Sequence, residues 1–568
     1  MHVIDYTLVV LYLVGLLVCG CWLARRAGRS DDDYFLGGRR LPWWSLGASG
    51  MSSNLDAAGT MTLVTLIYLY GLHGFFMEMR GGIVLPIAVF LAFMGKWHQR
   101  SGVTTTAEWM RLRFGSGPGG QLARTVAALT YLVITVGMVV FFLAAAGRFL
   151  AVFLPFSPTA CAIGMALIAL TYTAMSGLYG VVWTDVFQAA LIAFAAIYVG
   201  VMAWLVISPE VLAAWPGADW NTVLPVWSDP ALGEYSLFML FLLAWAGKGL
   251  LEGLGGSGGS AYMAQRFYAA PSAAACQRIG MLWTILFAFR WPMVLGFVVL
   301  AVSLGLGEEN PETLLPEVLQ SGYFPAGLRG LIVAAIFAAS MSTFDSTINA
   351  GASYVVKDLY EPWVKSTARQ RVIVGYLASI GIVAVGLVIA LVAVESILAV
   401  WVMIVIQLFP AFLVPFALRW YWGQFNGVGF SVGIIAGFAA AFGVPLFGLD
   451  LNEVQTLLVT GLLSTLGCLI GNRLGAPVPE SVQRTFFDQI RPFGLWPKAW
   501  KAPHREEHRR DGLRLATALI WQLCTFMLPM LAILKKYPAL AVMAVLWLGL
   551  TIILLRLQEN EEALDKTA

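Results

Sequence analysis

A stretch of about 20 apolar residues can cross a bilayer only as a helix, because hydrocarbon offers a backbone N–H or C=O no partner except the chain itself. This sequence repeats such stretches along its length, at 3–23, 41–68, 72–95, 121–154, 158–175, 182–207, 235–264, 278–305, 325–356, 371–394, 397–421, 428–447, 455–472, 514–534 and 537–557. The expected fold is therefore an all-α membrane protein with about fifteen transmembrane helices. Composition agrees, since 12% of residues are charged against roughly 25% in an average soluble domain. The 21 Trp and 18 Tyr, many near the ends of apolar stretches, suit anchoring at the membrane interface. A formal net charge of +3 is too small for a nucleic-acid partner, so the lipid bilayer is the expected surroundings.

The six cysteines, Cys19, Cys21, Cys161, Cys276, Cys468 and Cys524, show no CxxC spacing and lie mostly in apolar stretches, which reads as packing rather than metal binding or a disulfide framework. The first stretch carries Asp5 and no Lys or Arg at its start, and its arginines follow it, the wrong charge order for a signal peptide.

Loop charges set the expected orientation. Arg25, Arg26, Arg29, Arg39 and Arg40 follow the first span, Lys96, Arg100, Arg111 and Arg113 the third, and Lys357, Lys365, Arg369 and Arg371 the ninth. Loops 208–234 and 306–324 contain acids but no Lys or Arg. The positive-inside rule then puts the N-terminus outside and loop 473–513 in the cytoplasm of a multi-pass cell-membrane protein. Lys535 and Lys536 dissent, falling on the outer side.

Two spans are rich in small and polar residues at mid-depth. The second reads Gly47-Ala48-Ser49-Gly50-Met51-Ser52-Ser53-Asn54 and the seventh Gly253-Leu254-Gly255-Gly256-Ser257-Gly258-Gly259-Ser260. Helices broken inside a membrane expose carbonyls and amides that an ion or solute can satisfy, and two of them five spans apart suggest an inverted repeat with its site between. Close helix packing through glycine is the alternative. In the ninth span, Ser342 and Ser346 share a face with Asp345 beside them, a set of oxygens suited to a hard cation unless the hydroxyls only bond back to their own helix.

The segments DDDYFLGGRRLPWW (31–44), TAEWMRLRFG (106–115), GLYGVVWTDVFQ (177–188), AQRFYAAPS (264–272) and AASMSTFDSTINAGASYVVKDLYEP (338–362) resemble the sodium:solute symporter family, which includes sodium/glucose, proline and sialic acid carriers. The resemblance covers roughly residues 3 to 470 and implies a leucine-transporter-type fold of five helices and five inverted ones with flanking helices. On that pattern 1–40 holds a leading helix and linker, 41–207 the first repeat, 208–234 an outer loop, 235–421 the second repeat, and 422–568 accessory helices. The resemblance also implies sodium as the coupling ion. Its main site would use the carbonyls of Ala48, Met51 and Ala339 and the hydroxyls of Ser342 and Thr343. A second sodium site, present in some members, would fall on Asp185, Ser342, Asp345 and Ser346, with Asp345 standing where some members carry Ser.

Ionisable groups at membrane depth cost roughly 2.5–3.5 kcal/mol each on insertion scales and read as functional by default. Asp56, Glu78, Arg80, Lys248, Glu252 and Arg290 lie in such positions beside Asp185 and Asp345. Lys248 and Glu252 are spaced to satisfy each other, whereas Glu78 and Arg80 point to different sides of a helix. The expected contacts to a small polar solute are Asn54, Asp56, Glu78, Arg80, Lys248 and Gln407, a mixed-charge lining that suits a sugar or sugar-derived carboxylate. An enzyme would need an intramembrane nucleophile–base pair or metal cluster, and no enzyme is expected. A proton-coupled symporter and a transporter-like membrane sensor are the alternatives; a sensor would be expected to carry an appended signalling domain, and little chain follows the last span.

Overall fold

The computed structural model describes residues 1–27, 36–81, 84–213, 215, 223–256, 261–307, 310–394 and 396–565. Among these the secondary structure is helical, apart from one isolated bridge between Trp422 and Leu495. The main helices are α1 (Val3–Ala27), α2 (Trp43–Ser52), α3 (Ala57–Tyr70), α4 (86–101), α5 (Pro118–Ala151), α6 (Pro158–Val206), α7 (Phe238–Leu254), α8 (Ala261–Tyr268), α9 (Ala273–Phe287) and α10 (Arg290–Ser303). They continue with α11 (Leu328–Tyr354), α12 (Ala368–Ala393), α13 (397–408), α14 (Pro410–Tyr421), α15 (Gly427–Leu446), α16 (Glu453–Leu474), α17 (Glu480–Ile490), α18 (Arg505–Ile533) and α19 (Tyr537–Asp565). Among the described residues ten helical stretches are long and apolar enough to span a membrane, or eleven if the bent pair 397–421 is one span. Val3–Leu16, Ala57–Tyr70 and Pro158–Thr171 are shorter apolar helices.

The 49 residues of α6 are too many for one crossing, since roughly 20 suffice. Its apolar parts, Pro158–Thr171 and Leu178–Val206, correspond to the fifth and sixth expected spans. The third expected span, 72–95, is interrupted: short turns at His73–Met77 and Glu78–Arg80 precede α4, which starts at Pro86. Proline fixes a helical φ and lacks only an N–H that the first turn of a helix leaves unpaired, so Pro86 suits the first position of α4.

Helix α11 is buried almost along its whole length and forms the centre, whereas α19 turns nearly all its surface outward, as a lipid-facing helix does. Small residues let the helices around the centre approach. A Cβ on Gly437 of α15 would lie 2.2 Å from the Ala411 carbonyl of α14, and one on Gly330 of α11 would lie 2.4 Å from Asp5 Cα of α1.

Loop 473–513 is bound firmly beneath the bundle. Lys96 at the end of α4 pairs with Asp511 (2.7 Å) and Glu507 (3.0 Å), and Arg100 pairs with Glu507 (2.7 Å). Arg113 donates to the carbonyls of Arg419, Trp422 and Gly423 and lies 5.0 Å from the Trp496 ring centroid. His504 and His508 are ordinary helix neighbours, and His508 donates to the Arg491 carbonyl. Lys535 donates to the Ile207 carbonyl just after α6, so the turn between α18 and α19 lies at the same end of the bundle as the C-terminus of α6.

Candidate functional site

Helix α2 ends at Ser52 and α3 begins at Ala57, so the second span is broken. The freed backbone groups are met by side chains: Asp56 accepts from Gly59 N at 2.6 Å as the N-cap of α3, and Ser340 of α11 accepts from Ala57 N at 3.0 Å. The seventh span stops at Leu254 and resumes at Ala261; the Ser257–Ser260 part of its glycine-rich run lies outside the described residues. Its last carbonyls are capped from α14 and α4. Tyr421 donates to Leu254, Arg419 and Trp420 to Gly255, and His98 to Gly256. Gly256 has φ +69°, a conformation that L side chains resist.

Around the first break, α2, α6, α8 and α11 bring together one buried polar cluster. Asp185 of α6 accepts from Ser342 Oγ of α11 and from Ser49 Oγ of α2, each at 2.5 Å. Ser53 Oγ lies 2.9 Å from Ser346 Oγ. Arg266 of α8 reaches into the same cluster, donating to Ser346 (2.6 Å), Ser53 (2.9 Å) and Ser49 (3.0 Å) and lying 3.4 Å from Asp185. Its guanidinium and the Asp185 carboxylate are both 0% exposed. Asp345 sits within electrostatic reach of Arg266.

Of the five groups that the resemblance assigns to a main sodium site, the Ser342 hydroxyl belongs to this cluster and is bonded to Asp185. Thr343 Oγ is 3.1 Å from the Ala339 carbonyl, Met51 O accepts from Asn54 N at 3.0 Å, and Ala48 is buried one turn earlier on α2. The Thr343 hydroxyl thus bonds back to its own helix. The Ser52 hydroxyl, fully buried at the end of α2, makes no hydrogen bond among the described residues.

A second region lies farther along the broken helix. A cavity of about 40 Å³, room for about one water, is lined by Asn54, Asp56, Gly59, Thr62, Glu78, Met138, Phe141, Tyr262, Arg290 and Trp401. Arg290 donates to Glu78 at 3.3 Å, and a Cβ on Gly59 would fall 2.5 Å from its Nη2, so glycine leaves the space that Arg290 fills. Tyr262 donates to Asn54. Of the six expected solute contacts, the cavity therefore gathers Asn54, Asp56 and Glu78. Arg80 instead pairs with Glu453 of α16 (2.8 Å), and Lys248 with Glu252 (2.9 Å) and the Arg80 carbonyl. Gln407 lies half-buried in α13 and does not line the cavity.

Sequence reasoning did not assign Arg266, Ser49, Ser53, Tyr262 or Trp401 to a site. The i, i+4 spacing of Ser49 and Ser53 within the small-residue run was a usable signal, as was the QRFY segment that carries Arg266.

A family model for the sodium:solute symporter family matches residues 34–437. The sodium/sialic acid symporter of Proteus mirabilis is 24% identical over 386 residues, covering 64% of this chain and 72% of that protein. The sodium/glucose cotransporter of Vibrio parahaemolyticus is 24% identical over 502 residues, covering 81% of this chain and 88% of its own. Among solved structures, a substrate-bound, outward-open Na+-coupled sialic acid symporter aligns with a TM-score of 0.68 at 23% identity, over 84% of this chain and 99% of that one. At that identity the likeness speaks for the fold. With the family model spanning most of the chain, the broken helices and the buried hydroxyl–carboxylate cluster have their place: this multi-pass membrane protein belongs to the sodium:solute symporter family.

Proposed function

We propose that this chain imports a small polar solute together with a single sodium ion, by alternating access in a leucine-transporter-type fold. The observation that carries the reading is the buried meeting of Ser342, Asp185, Ser49 and Arg266 beside the break in the second span. In this reading the second to sixth spans (41–207) and the seventh to eleventh (235–421) are inverted repeats. Residues 1–40, 208–234 and 422–568 flank them, fifteen spans in all, with sodium and solute bound at the two broken helices. The ion is held by the carbonyls of Ala48, Met51 and Ala339 and the hydroxyls of Ser342 and Thr343. At the positions of a second ion, Asp185, Asp345 and Ser346, the Arg266 guanidinium supplies the cation. Two carboxylates in a site of low dielectric repel unless a positive charge lies between them, and a resident arginine meets that need without a second sodium. The names of the relatives, sialic acid and glucose carriers, support a sugar-like polar solute. A sugar-derived carboxylate fits less well, because it would join Asp56 and Glu78 in one cavity.

Uptake of a solute panel into proteoliposomes tests the coupling: accumulation is expected with an inward sodium gradient and not with an inward proton gradient alone. Ser342→Ala removes one ion ligand and a hydrogen bond to Asp185, so half-maximal sodium should rise about tenfold or more, equivalent to a loss of about 1.4 kcal/mol, with protein abundance little changed. Unaltered sodium activation would remove Ser342 from the ion site.

The proposed orientation, N-terminus outside and loop 473–513 cytoplasmic, has its own test. Single cysteines replacing the exposed Ser228 and Gly322 should react with an impermeant thiol reagent applied to intact cells, and one replacing Arg484 should react only after permeabilisation. Reversed labelling would invert the assignment.

A further inference from the structure

The cavity at the first break carries more negative charge than the protein neutralises. Asp56 and Glu78, 7% and 2% exposed, both face it, and a single cation, Arg290, stands beside them. The neighbouring cations are already committed, Arg80 to Glu453 and Lys248 to Glu252. Among these named groups four carboxylates therefore meet three cations, and the two carboxylates at the cavity wall, Asp56 and Glu78, share one of them, Arg290. The wall also holds two polar atoms, Thr62 Oγ1 and Arg290 Nε, that make no hydrogen bond among the described residues, and the rings of Phe141, Trp401 and Tyr262. Phe141 and Trp401 stack with centroids 5.1 Å apart.

We infer, building on the symporter reading above, that the solute carries a positive charge: an ammonium group that binds between the Asp56 and Glu78 carboxylates, with aromatic rings along its apolar side. A neutral polyol would leave the surplus charge buried and uncompensated, and an anionic solute would add a third negative group where only the already paired Arg290 could answer it. An ammonium ion removes the surplus, gains from aromatic neighbours, and can donate to the carboxylates in charge-assisted hydrogen bonds. Asn54 and Thr62 are placed to read polar groups elsewhere on the same molecule.

The test pairs cations with neutral counterparts of similar shape: choline with 3,3-dimethylbutan-1-ol, glucosamine with glucose, and methylammonium with methanol. Binding to the full-length protein in nanodiscs is measured by thermal shift and by competition between pair members, at saturating sodium. At least one cation should bind at least tenfold more tightly than its neutral counterpart. Asp56→Asn and Glu78→Gln, made separately in case either fails to fold, should each reduce that preference at least fivefold. Neutral members binding as well as their cations, or no cation binding at all, overturns the inference; so does a preference that survives in the folded variants. Sodium-induced stabilisation without any organic probe is read in parallel. Its loss in the unmodified protein would count against the sodium site alone, so the two readings fail separately.

Discussion

Replacing Arg266 with glutamine is expected to be among the most damaging single changes in this protein, and adding Asp185→Asn should largely repair it. The pair is completely buried, with Arg266 also donating to Ser49, Ser53 and Ser346. Removing one member of a buried ion pair leaves the other charged without a partner and typically costs about 3–5 kcal/mol. Arg266→Gln alone should therefore lower the yield of monodisperse protein and its melting temperature in detergent, whereas the double variant replaces two charges with two amides and should melt close to the parent. The single variant also measures the ion count. If Arg266 stands in for a second sodium, surviving Arg266→Gln protein has a vacant anionic pocket, and the ratio of isotopic sodium to solute taken up should rise from one toward two. Isotope flux is the right measure because the charge of the solute does not enter it. A ratio of two in the parent would show that Arg266 leaves room for the second ion.

The apolar character of the long spans, the broken second helix and the one-turn spacing of Ser342 and Ser346 were legible because they rest on local signals: apolar length, small-residue density and helical spacing; that Asp185 meets Ser342, 157 residues away, was implied only by the family resemblance. Lys248–Glu252 was legible for the same reason, being an i, i+4 pair. The partners of the other buried charges were not. Glu78 pairs with Arg290 and Arg80 with Glu453, across 212 and 373 residues of chain. No periodicity encodes such contacts; they exist because the packed bundle brings distant spans together, and each buried charge takes the opposite charge that arrives. Arg266 was hidden differently. It lies just beyond the expected seventh span, 235–264, whose break was read from its glycines, and nothing local indicates that the helix after that break, α8, turns a guanidinium toward Asp185. That α4 begins only at Pro86 was missed because the Gly-Gly and Pro86 signals sat inside a span apolar enough to pass as whole.

Glu453→Gln should be nearly as costly, and it separates two roles for Arg80. Glu453, at the start of α16, accepts from Arg80 Nη1 (2.8 Å), Tyr235 Oη (2.9 Å) and Trp245 Nε1 (2.8 Å). This carboxylate joins an accessory helix to the third span and to α7, both part of the proposed transport core. Arg80 is 1% exposed, and among the described residues its Nε and Nη2 make no hydrogen bonds and its ion pair is with Glu453. Neutralising Glu453 strands that cation, with an expected loss of about 3–5 kcal/mol, read as a lower melting temperature and reduced surface abundance. Arg80→Met with Glu453→Gln removes both charges, leaves the amide oxygen to accept from Tyr235 and Trp245, and should recover most of the stability. If Arg80 only ties α16 to the core, the recovered double variant should transport with a half-saturating solute concentration within about twofold of the parent, a difference of about 0.4 kcal/mol. If Arg80 also contacts the solute, as its depth in the sequence suggested, the protein will fold but bind its solute at least tenfold more weakly. The first outcome is expected, because the Arg80 guanidinium is directed to Glu453 and Tyr235 and does not line the cavity that gathers Asn54, Asp56 and Glu78.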